Sequence, residues 1–266
     1  MIVIAHISDT HFDGGERSTE RAARVMSYLA GLSTPVAAIV VSGDITDHGT
    51  EAEYEQARAT LAADVPVLFL PGNHDARSAF RKVLLRKDSY DPSDVEDPTG
   101  TDSPVNRVHE AGGVVFLLCD SLIPGRDEGL LDDETIAWLD ERLGSVSPDA
   151  PALVCVHHPP VELHIPFIDA IGQRGADRLA AVVERHPRVA GVLCGHAHTA
   201  AATTFAGRPL LVAPGVASTT LLPWEGGGVS TELPPGLAFH VLGEDNRITT
   251  HYRVVLHSGE STGRTS

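Results

Sequence analysis

Five short polar clusters carry the residues of this sequence that could do chemistry. Asp9-Thr10-His11 comes first. Gly43-Asp44 follows, with Asp47 three residues on. The others are Gly72-Asn73-His74-Asp75, His157-His158-Pro159-Pro160 and Gly195-His196-Ala197-His198. Their donors are carboxylate and amide oxygens and imidazole nitrogens, with no cysteine among them. A mixed N/O set of this kind suits Mn, Fe, Zn or Co rather than a closed, thiolate-rich zinc site. Histidine is the commonest metal ligand and the usual acid–base residue, and the chain has 14. Taken singly, each cluster is a weak signal. An Asp-x-His at a turn arises often by chance, and His158 alone reads as a supporting or packing residue. Glycines at 43, 72 and 195 allow tight turns that bring the chain close to an ion.

Each cluster follows an apolar run. Residues 2–7, 36–41, 65–70, 152–156 and 189–194 read as strands. In open α/β sheets ligands bind outside the carboxyl ends of the strands. Five clusters at five strand ends can therefore converge on one crevice. Residues 113–119 read as a further strand. Residues 19–32 read as a helix with Ala22, Val25, Met26 and Leu29 on one face. Residues 50–63 open on Thr50 and Glu53, a capping-box spacing. Residues 79–85 and 176–186 look helical, as do 132–143, with Asp132 as N-cap. Residues 86–104 form a polar loop whose six acids (Asp88, Asp91, Asp94, Glu96, Asp97, Asp102) read as solvated rather than as an ion site. After Cys194 the texture becomes mainly β, at 200–205, 210–213, 237–242 and 248–255. The whole reads as an α/β chain, one domain over 1–257 with a frayed polar tail at 258–266.

Composition excludes several classes. At 266 residues the chain can bury a full core without disulfides. Hydrophobic residues are 42% and charged residues 21%, ordinary for a globular protein. No apolar run approaches the ~20 residues of a membrane helix, and the first one lacks the basic flank of a signal peptide. Cys119, Cys155 and Cys194 are an odd, sparse set that fits a reducing cytosol and reads as small buried hydrophobes. Lys plus Arg total 20 against 36 Asp plus Glu, a formal charge of −16. That balance repels nucleic-acid backbones and anionic membranes unless a local site reverses the field. Bound divalent cations are one way to reverse it. The basic cluster Arg77, Arg81, Lys82, Arg86 and Lys87 reads as the solvated face of a helix, not as a nuclease stripe. Ser8 and Ser42 read as turn hydrogen-bonders, not nucleophiles.

All five clusters, in this order, resemble the signature of the calcineurin-like metallophosphoesterase superfamily: D-x-H, G-D, G-N-H-[DE], H and G-H-x-H. The stretch Ala5-His6-Ile7-Ser8-Asp9-Thr10-His11 is most similar to its branch of class III cyclic nucleotide phosphodiesterases and glycerophosphodiesterases. The likeness spans roughly residues 2 to 215 and leaves no ligand position replaced. It implies two packed mixed β-sheets flanked by helices, a four-layer α/β/β/α sandwich. It also implies two metal ions. Asp9, His11 and His198 would hold the first, Asn73, His157 and His196 the second, and Asp44 would bridge them. His74 corresponds to a phosphate-contacting histidine that binds no metal, and Asp47 to a residue that orients it in some members.

Two divalent ions against Asp9 and Asp44 would leave the site at about +2, enough to hold a phosphodiester inside an acidic protein. The resemblance thus implies a dinuclear phosphodiesterase for small diesters, 3′,5′-cyclic nucleotides such as cyclic AMP first. The alternatives are a glycerophosphodiesterase or a broad-specificity phosphatase. A non-catalytic metal-binding protein ranks lower, because no ligand is lost. No nucleic-acid polymer or membrane is expected as partner, and a homodimer or larger homo-oligomer is. Residues 159–175, with Glu162, His164, Phe167 and Arg174, would cap the crevice. Residues 216–236, with Trp224 and three consecutive glycines at 226–228, would form an interface or specificity loop.

Overall fold

The structure is a computed structural model and describes residues 1–85, 103–147 and 149–256. The six acids of the 86–104 loop, Arg86, Lys87 and the 258–266 tail lie outside the described residues.

The first third of the chain alternates strands and helices: β1 (Ile2–Ile7), α1 (Glu16–Ala30), β2 (Ala38–Ser42), α2 (Glu51–Thr60), β3 (Val67–Leu70) and α3 (Arg77–Leu84). A second alternating run follows. It comprises β4 (Arg107–Ala111), β5 (Val114–Cys119), β6 (Gly129–Leu130), α4 (Asp133–Ser145), β7 (Ala152–Val156), α5 (Pro166–Asp169), β8 (Gln173–Arg174), α6 (Ala176–Arg185) and β9 (Val189–Cys194). The end is β: β10 (Ala201–Phe205), β11 (Arg208–Val212), β12 (Thr219–Thr220), β13 (Val229–Ser230), β14 (Gly236–Leu242) and β15 (Ile248–Val254). One sheet has the order β15-β14-β1-β2-β3, the other β10-β11-β9-β7-β5-β4. Strands β1, β2 and β3 are parallel, as are β5, β7, β9 and β11.

Alternation along each strand sorts its side chains between two layers. Ile4, Val40, Leu68 and Leu70 of the first sheet meet Val114, Phe116, Leu118, Leu153, Cys155 and Leu193 of the second in one apolar layer. The opposite face of the first sheet, with Ala5, Ile7, Ile39 and Val41, packs on Val25, Met26, Tyr54 and Phe80 of the helices. Val115, Leu117, Val154 and Val192 pack on Leu139, Leu143, Leu179 and Val182 of α4 and α6. Strands covered on both faces read as unbroken apolar runs, which is why they were plain in the sequence. The result is the expected four-layer α/β/β/α sandwich. All three cysteines are free and buried.

The helix starts follow their caps. Thr50 and Glu53 form the reciprocal capping box, and Asp132 accepts from Thr135 N. Helix α1 begins at Glu16, ahead of the expected residue 19, after a Gly15 N-cap with no side-chain bond. Strand β4 escaped the sequence reading because Arg-Val-His-Glu-Ala is mostly polar, and it borders β5 at the edge of its sheet. The basic cluster is a correction. Arg77 is not on a solvated face: it is largely buried and binds Asp120 at 2.7 Å and the Leu122 carbonyl at 2.6 Å. Lys82 pairs with Glu51, and Arg81 bonds the Ser103 carbonyl. Among the described residues no helix is long and apolar enough to cross a membrane.

Candidate metal centre

The loops after β1, β2, β3, β7 and β9 bring Asp9, His11, Asp44, Asn73, His74, His157, His196 and His198 together at one end of the sandwich. The turns are unusual. Asp9, His11, Asp44, His196 and His198 all have positive φ, from 42° to 68°. For a residue with a Cβ that conformation costs about 1–2 kcal/mol, and such outliers cluster at functional sites. Gly43, at φ +92°, could carry no Cβ without overlapping the His157 ring. A Cβ on Gly72 would overlap the Asp44 carboxylate and lie 2.8 Å from His157 Nε2.

Asp44 is central. Its Oδ1 accepts from His74 N at 2.9 Å. Its Oδ2 stands 3.3 Å from His157 Nε2 and 3.7 Å from His11 Nε2. On one side of it, Asp9, His11 and His198 gather. His11 Nε2 and His198 Nε2 are 3.1 Å apart, and His198 Nε2 is 3.6 Å from Asp9 Oδ1. On the other side lie His157 and His196, with His196 Nδ1 3.1 Å from Asn73 Oδ1. Asp9, His11, Asp44 and His198 present donor atoms mutually close enough to share one ion.

Outer partners fix which edges point inward. His157 Nδ1 lies 2.6 Å from the Ser42 carbonyl, which can only accept, so Nδ1 carries the hydrogen and Nε2 faces Asp44. His11 Nδ1 donates to Asp47 Oδ1 at 2.9 Å, and His198 Nδ1 meets Ser218 Oγ at 2.7 Å. Asp9 Oδ2, His157 Nε2 and His196 Nε2 are buried with no hydrogen-bond partner. Orphaned polar atoms at such depth are costly. Two carboxylates, an amide oxygen and four imidazoles, three of them offering unpartnered buried atoms, fit divalent cations.

Electrostatics agrees. Burial opposes charge on His157, yet Asp44 at its Nε2 outweighs it and lifts the group to about 9. Asp44, despite its own burial, is held well below the usual carboxylate range by His157, His11 and His74. His11 is also raised, burial being overcome by the Asp47 bond and by Asp44 and Asp9. His196 is pushed down to about 3, first by burial and then by His157. A metal must therefore displace a proton from His157. With His157 lifted toward about 9 by Asp44, apparent Mn affinity is expected to rise with pH between 7 and 9. Calorimetric titrations in buffers of different ionisation enthalpy check this. A pH-independent affinity with no proton release would contradict it.

His74 is half-exposed and rests edge-on against His11 at 4.7 Å. Asp47 reaches it through the backbone: His74 Nδ1 donates to the Asp47 carbonyl at 3.0 Å. The Asp47 carboxylate is 3.5 Å from that nitrogen and bonds His11 first, where resemblance implied His74. His158 meets Ser121 Oγ at 2.7 Å and the Asp127 carbonyl at 3.1 Å, so both its nitrogens are engaged. It packs beside His157 and His196 as a supporting residue.

Two supporting groups were given no role from the sequence, although Asp75 closes the Gly-Asn-His-Asp cluster. Asp75 is buried and accepts from Ile45 N, Thr46 N, Thr46 Oγ1, Gly72 N and Tyr54 Oη, at 2.8–3.2 Å. It ties the Asp44 loop to the Asn73 loop. Asp75→Ala would strand these donors, and a loss of about 3–5 kcal/mol is expected in urea unfolding. A loss under about 1 kcal/mol would remove that role. Arg17 and Arg21 of α1 grip the 216–236 segment by the carbonyls of Val216, Ala217, Thr231 and Leu233. That segment is a small β12–β13 hairpin, with Trp224 74% exposed near its tip. Ala217 N bonds Asp9 O, and Thr220 N bonds His198 O. Glu128, Pro160, Glu162, Asp169, Gln173 and Arg174, among others, line an open pocket of about 230 Å³.

Comparisons with known proteins point the same way. The family model described as calcineurin-like phosphoesterase matches residues 2–200. A glycerophosphodiester phosphodiesterase of Enterobacter lignolyticus (GpdQ) is 35% identical over 212 residues, 77% of this chain and 73% of that protein. A probable cyclic nucleotide phosphodiesterase of Rhodococcus erythropolis is 32% identical over 237 residues, 85% and 74% of the two chains. In fold, the chain is similar to a dimetal phosphatase from Danio rerio, with TM-score 0.69, 18% identity and 96% coverage of both chains.

Proposed function

The chain belongs to the calcineurin-like phosphoesterase family and is a metal-dependent phosphodiester hydrolase, and from that premise we propose that it cleaves small phosphodiesters at a dinuclear centre. The observation that carries the reading is the position of Asp44 Oδ2, between His157 Nε2 and His11 Nε2. Asp9, His11 and His198 would hold one ion, Asn73, His157 and His196 the other, and Asp44 would contribute to both. Mn, Fe, Zn and Co all suit these donors. Bound there, the two cations polarise the phosphoryl oxygens and lower the pKa of a water.

The chain's own groups do the rest. With Nδ1 committed to the Asp47 carbonyl, His74 has Nε2 free for substrate. In its imidazolium form, with Nδ1–H kept on the Asp47 carbonyl, it contacts the phosphoryl group and hands the Nε2 proton to the leaving oxygen as the P–O bond breaks. Asn73 orients an oxygen ligand toward His196. Asp47 holds His11 by its carboxylate and His74 by its carbonyl.

Cyclic nucleotides are the first substrate class, supported by the names of relatives such as the Rhodococcus protein. Glycerophosphodiesters are the second. They are supported by the name of the Enterobacter relative. The decisive assay offers Mn-loaded protein cyclic AMP, a glycerophosphodiester and an aryl phosphodiester side by side. Metal-dependent aryl diester turnover is expected. Preference for cyclic AMP or for the glycerol ester assigns the class, and no turnover with two ions bound overturns the reading. The proposal includes a reducing, cytoplasmic setting, supported by the three free cysteines; a disulfide found in protein isolated under thiol-blocking conditions would count against it. It also includes a homodimer joined at the hairpin that exposes Trp224, Val229 and Leu233. Sedimentation of a Trp224→Ala variant tests this, monomer being the expected result.

A further inference from the structure

A thread of hydrogen-bonded polar side chains crosses the mainly apolar layer between the two sheets. His6 shares its face of β1 with Ile4, and His240 shares its face of β14 with Leu242, both members of that apolar layer. His6 and His240 are fully buried. Their rings meet, His6 Nδ1 to His240 Nε2, at 3.0 Å. The outer end of the thread is Thr250 on the edge strand β15, 2.9 Å from His240 Nδ1. The inner end is Ser42 Oγ, 2.7 Å from His6 Nε2. All four ring nitrogens are engaged, and each contact holds a single proton, so the thread orders itself in one direction or the other as a unit.

Two imidazoles between packed sheets are expensive, and aliphatic residues fill the neighbouring positions of the same faces. The fold alone therefore gives no reason for them. What they reach does. Ser42 closes β2, two residues before Asp44. Its carbonyl accepts from His157 Nδ1, from the other sheet, at 2.6 Å, and from Ser8 Oγ at 3.1 Å. A Cβ on Gly195, at the head of the His196–His198 loop, would lie 2.8 Å from that carbonyl and 3.0 Å from Ser42 Oγ. The turn that carries Asp44, the ring of His157 and the loop of His196 all bear on this one serine.

We propose that His6 and His240 are positioning residues. Through Ser42 Oγ they fix the peptide whose carbonyl sets the tautomer and angle of His157, and so the donor geometry of the metal centre. The proposal rests on the dinuclear reading above. Partners behind a metal ligand typically contribute 10–100-fold in affinity or activity, and an effect of that size, about tenfold or more, is expected here.

The test measures Mn affinity by calorimetry, aryl diester kinetics and thermal unfolding for four variants. His6→Leu deletes the thread but keeps the layer filled. His6→Gln places an amide near the Nε2 position and keeps the Ser42 contact. His6→Asn places one near Nδ1 and keeps only the His240 contact. Ser42→Ala removes the hydroxyl and leaves the carbonyl. Leu, Asn and Ala are expected to lose about tenfold in Mn affinity and kcat with KM little changed, and Gln to restore most of both. Combining His6→Leu with Ser42→Ala should add little, since both cut the same thread. If His6→Leu folds and keeps native Mn affinity, or if Asn and Gln behave alike, the proposal falls. Mn binding without turnover in the parent protein would overturn the hydrolase reading alone, since the affinity comparison still decides this one. A parent that binds no Mn would overturn both.

Discussion

Asp44→Asn is expected to lower metal-dependent diester turnover by about 10³-fold, a barrier increase of about 4 kcal/mol. The carboxamide keeps the shape and can still accept from His74 N, as Oδ1 does at 2.9 Å. What it removes is the charge at Oδ2, the atom lying between His157 and His11. With a neutral oxygen there, the proposed second cation has lost its shared anionic ligand, and stoichiometry should fall from two ions toward one. A second readout separates this from misfolding. Asp44 is the leading cause that lifts His157 to about 9, against the pull of burial. In the Asn variant His157 loses that support, so the pH dependence of Mn binding should move to lower pH. Metal content, kcat and the pH profile of binding can be measured on one preparation. More than a tenth of the parent kcat with two ions retained would rule out the bridging role.

His74→Ala is the second large effect. The ring is half-exposed and its Nδ1 is committed to a carbonyl, so its loss should leave the fold and the Mn affinity nearly unchanged. As a proton donor to the leaving oxygen it should contribute about 10²–10⁴ in kcat. The size should depend on the leaving group. An alkyl alcohol leaves poorly without a proton and should show the full loss. A nitrophenolate needs little help, and the deficit should shrink to the part His74 supplies by contacting the phosphoryl group. Equal losses for both substrates would assign His74 to phosphate binding alone, and no loss for either would remove it from the mechanism.

The contrast between what was legible in the chain and what was not follows from distance along it. Each ligand cluster sits directly behind an apolar run, so a short window shows both the strand and its chemistry. Thr50 with Glu53 and Asp132 with Thr135 were equally plain, since a cap reports on residues three apart. Asp75 was not. It stands within a motif, but its partners lie 3, 21, 29 and 30 residues away, and nothing local says that five donors converge on it. The same holds for Arg21, which grips carbonyls about two hundred residues later, and for Arg77, whose helix looks solvated until Asp120 is brought beneath it. Polar strand β4 and the two-residue strands fail for another reason. They are defined by the neighbour they pair with, not by their own periodicity.

The place of β1 in its sheet bears on how the protein is made. Its two neighbours are β2, which follows almost at once, and β14, which follows about 230 residues later. On a ribosome adding about 5–20 residues per second, that interval is roughly 10–45 s. Throughout it the Ile2–Ile7 strand has one edge unsatisfied, and His6 lacks the ring it is to meet. All six strands of the other sheet emerge in the meantime. Strand β1 is thus sealed late, and the nascent chain must keep an apolar, pairing-competent edge from its neighbours on the polysome until β14 has emerged.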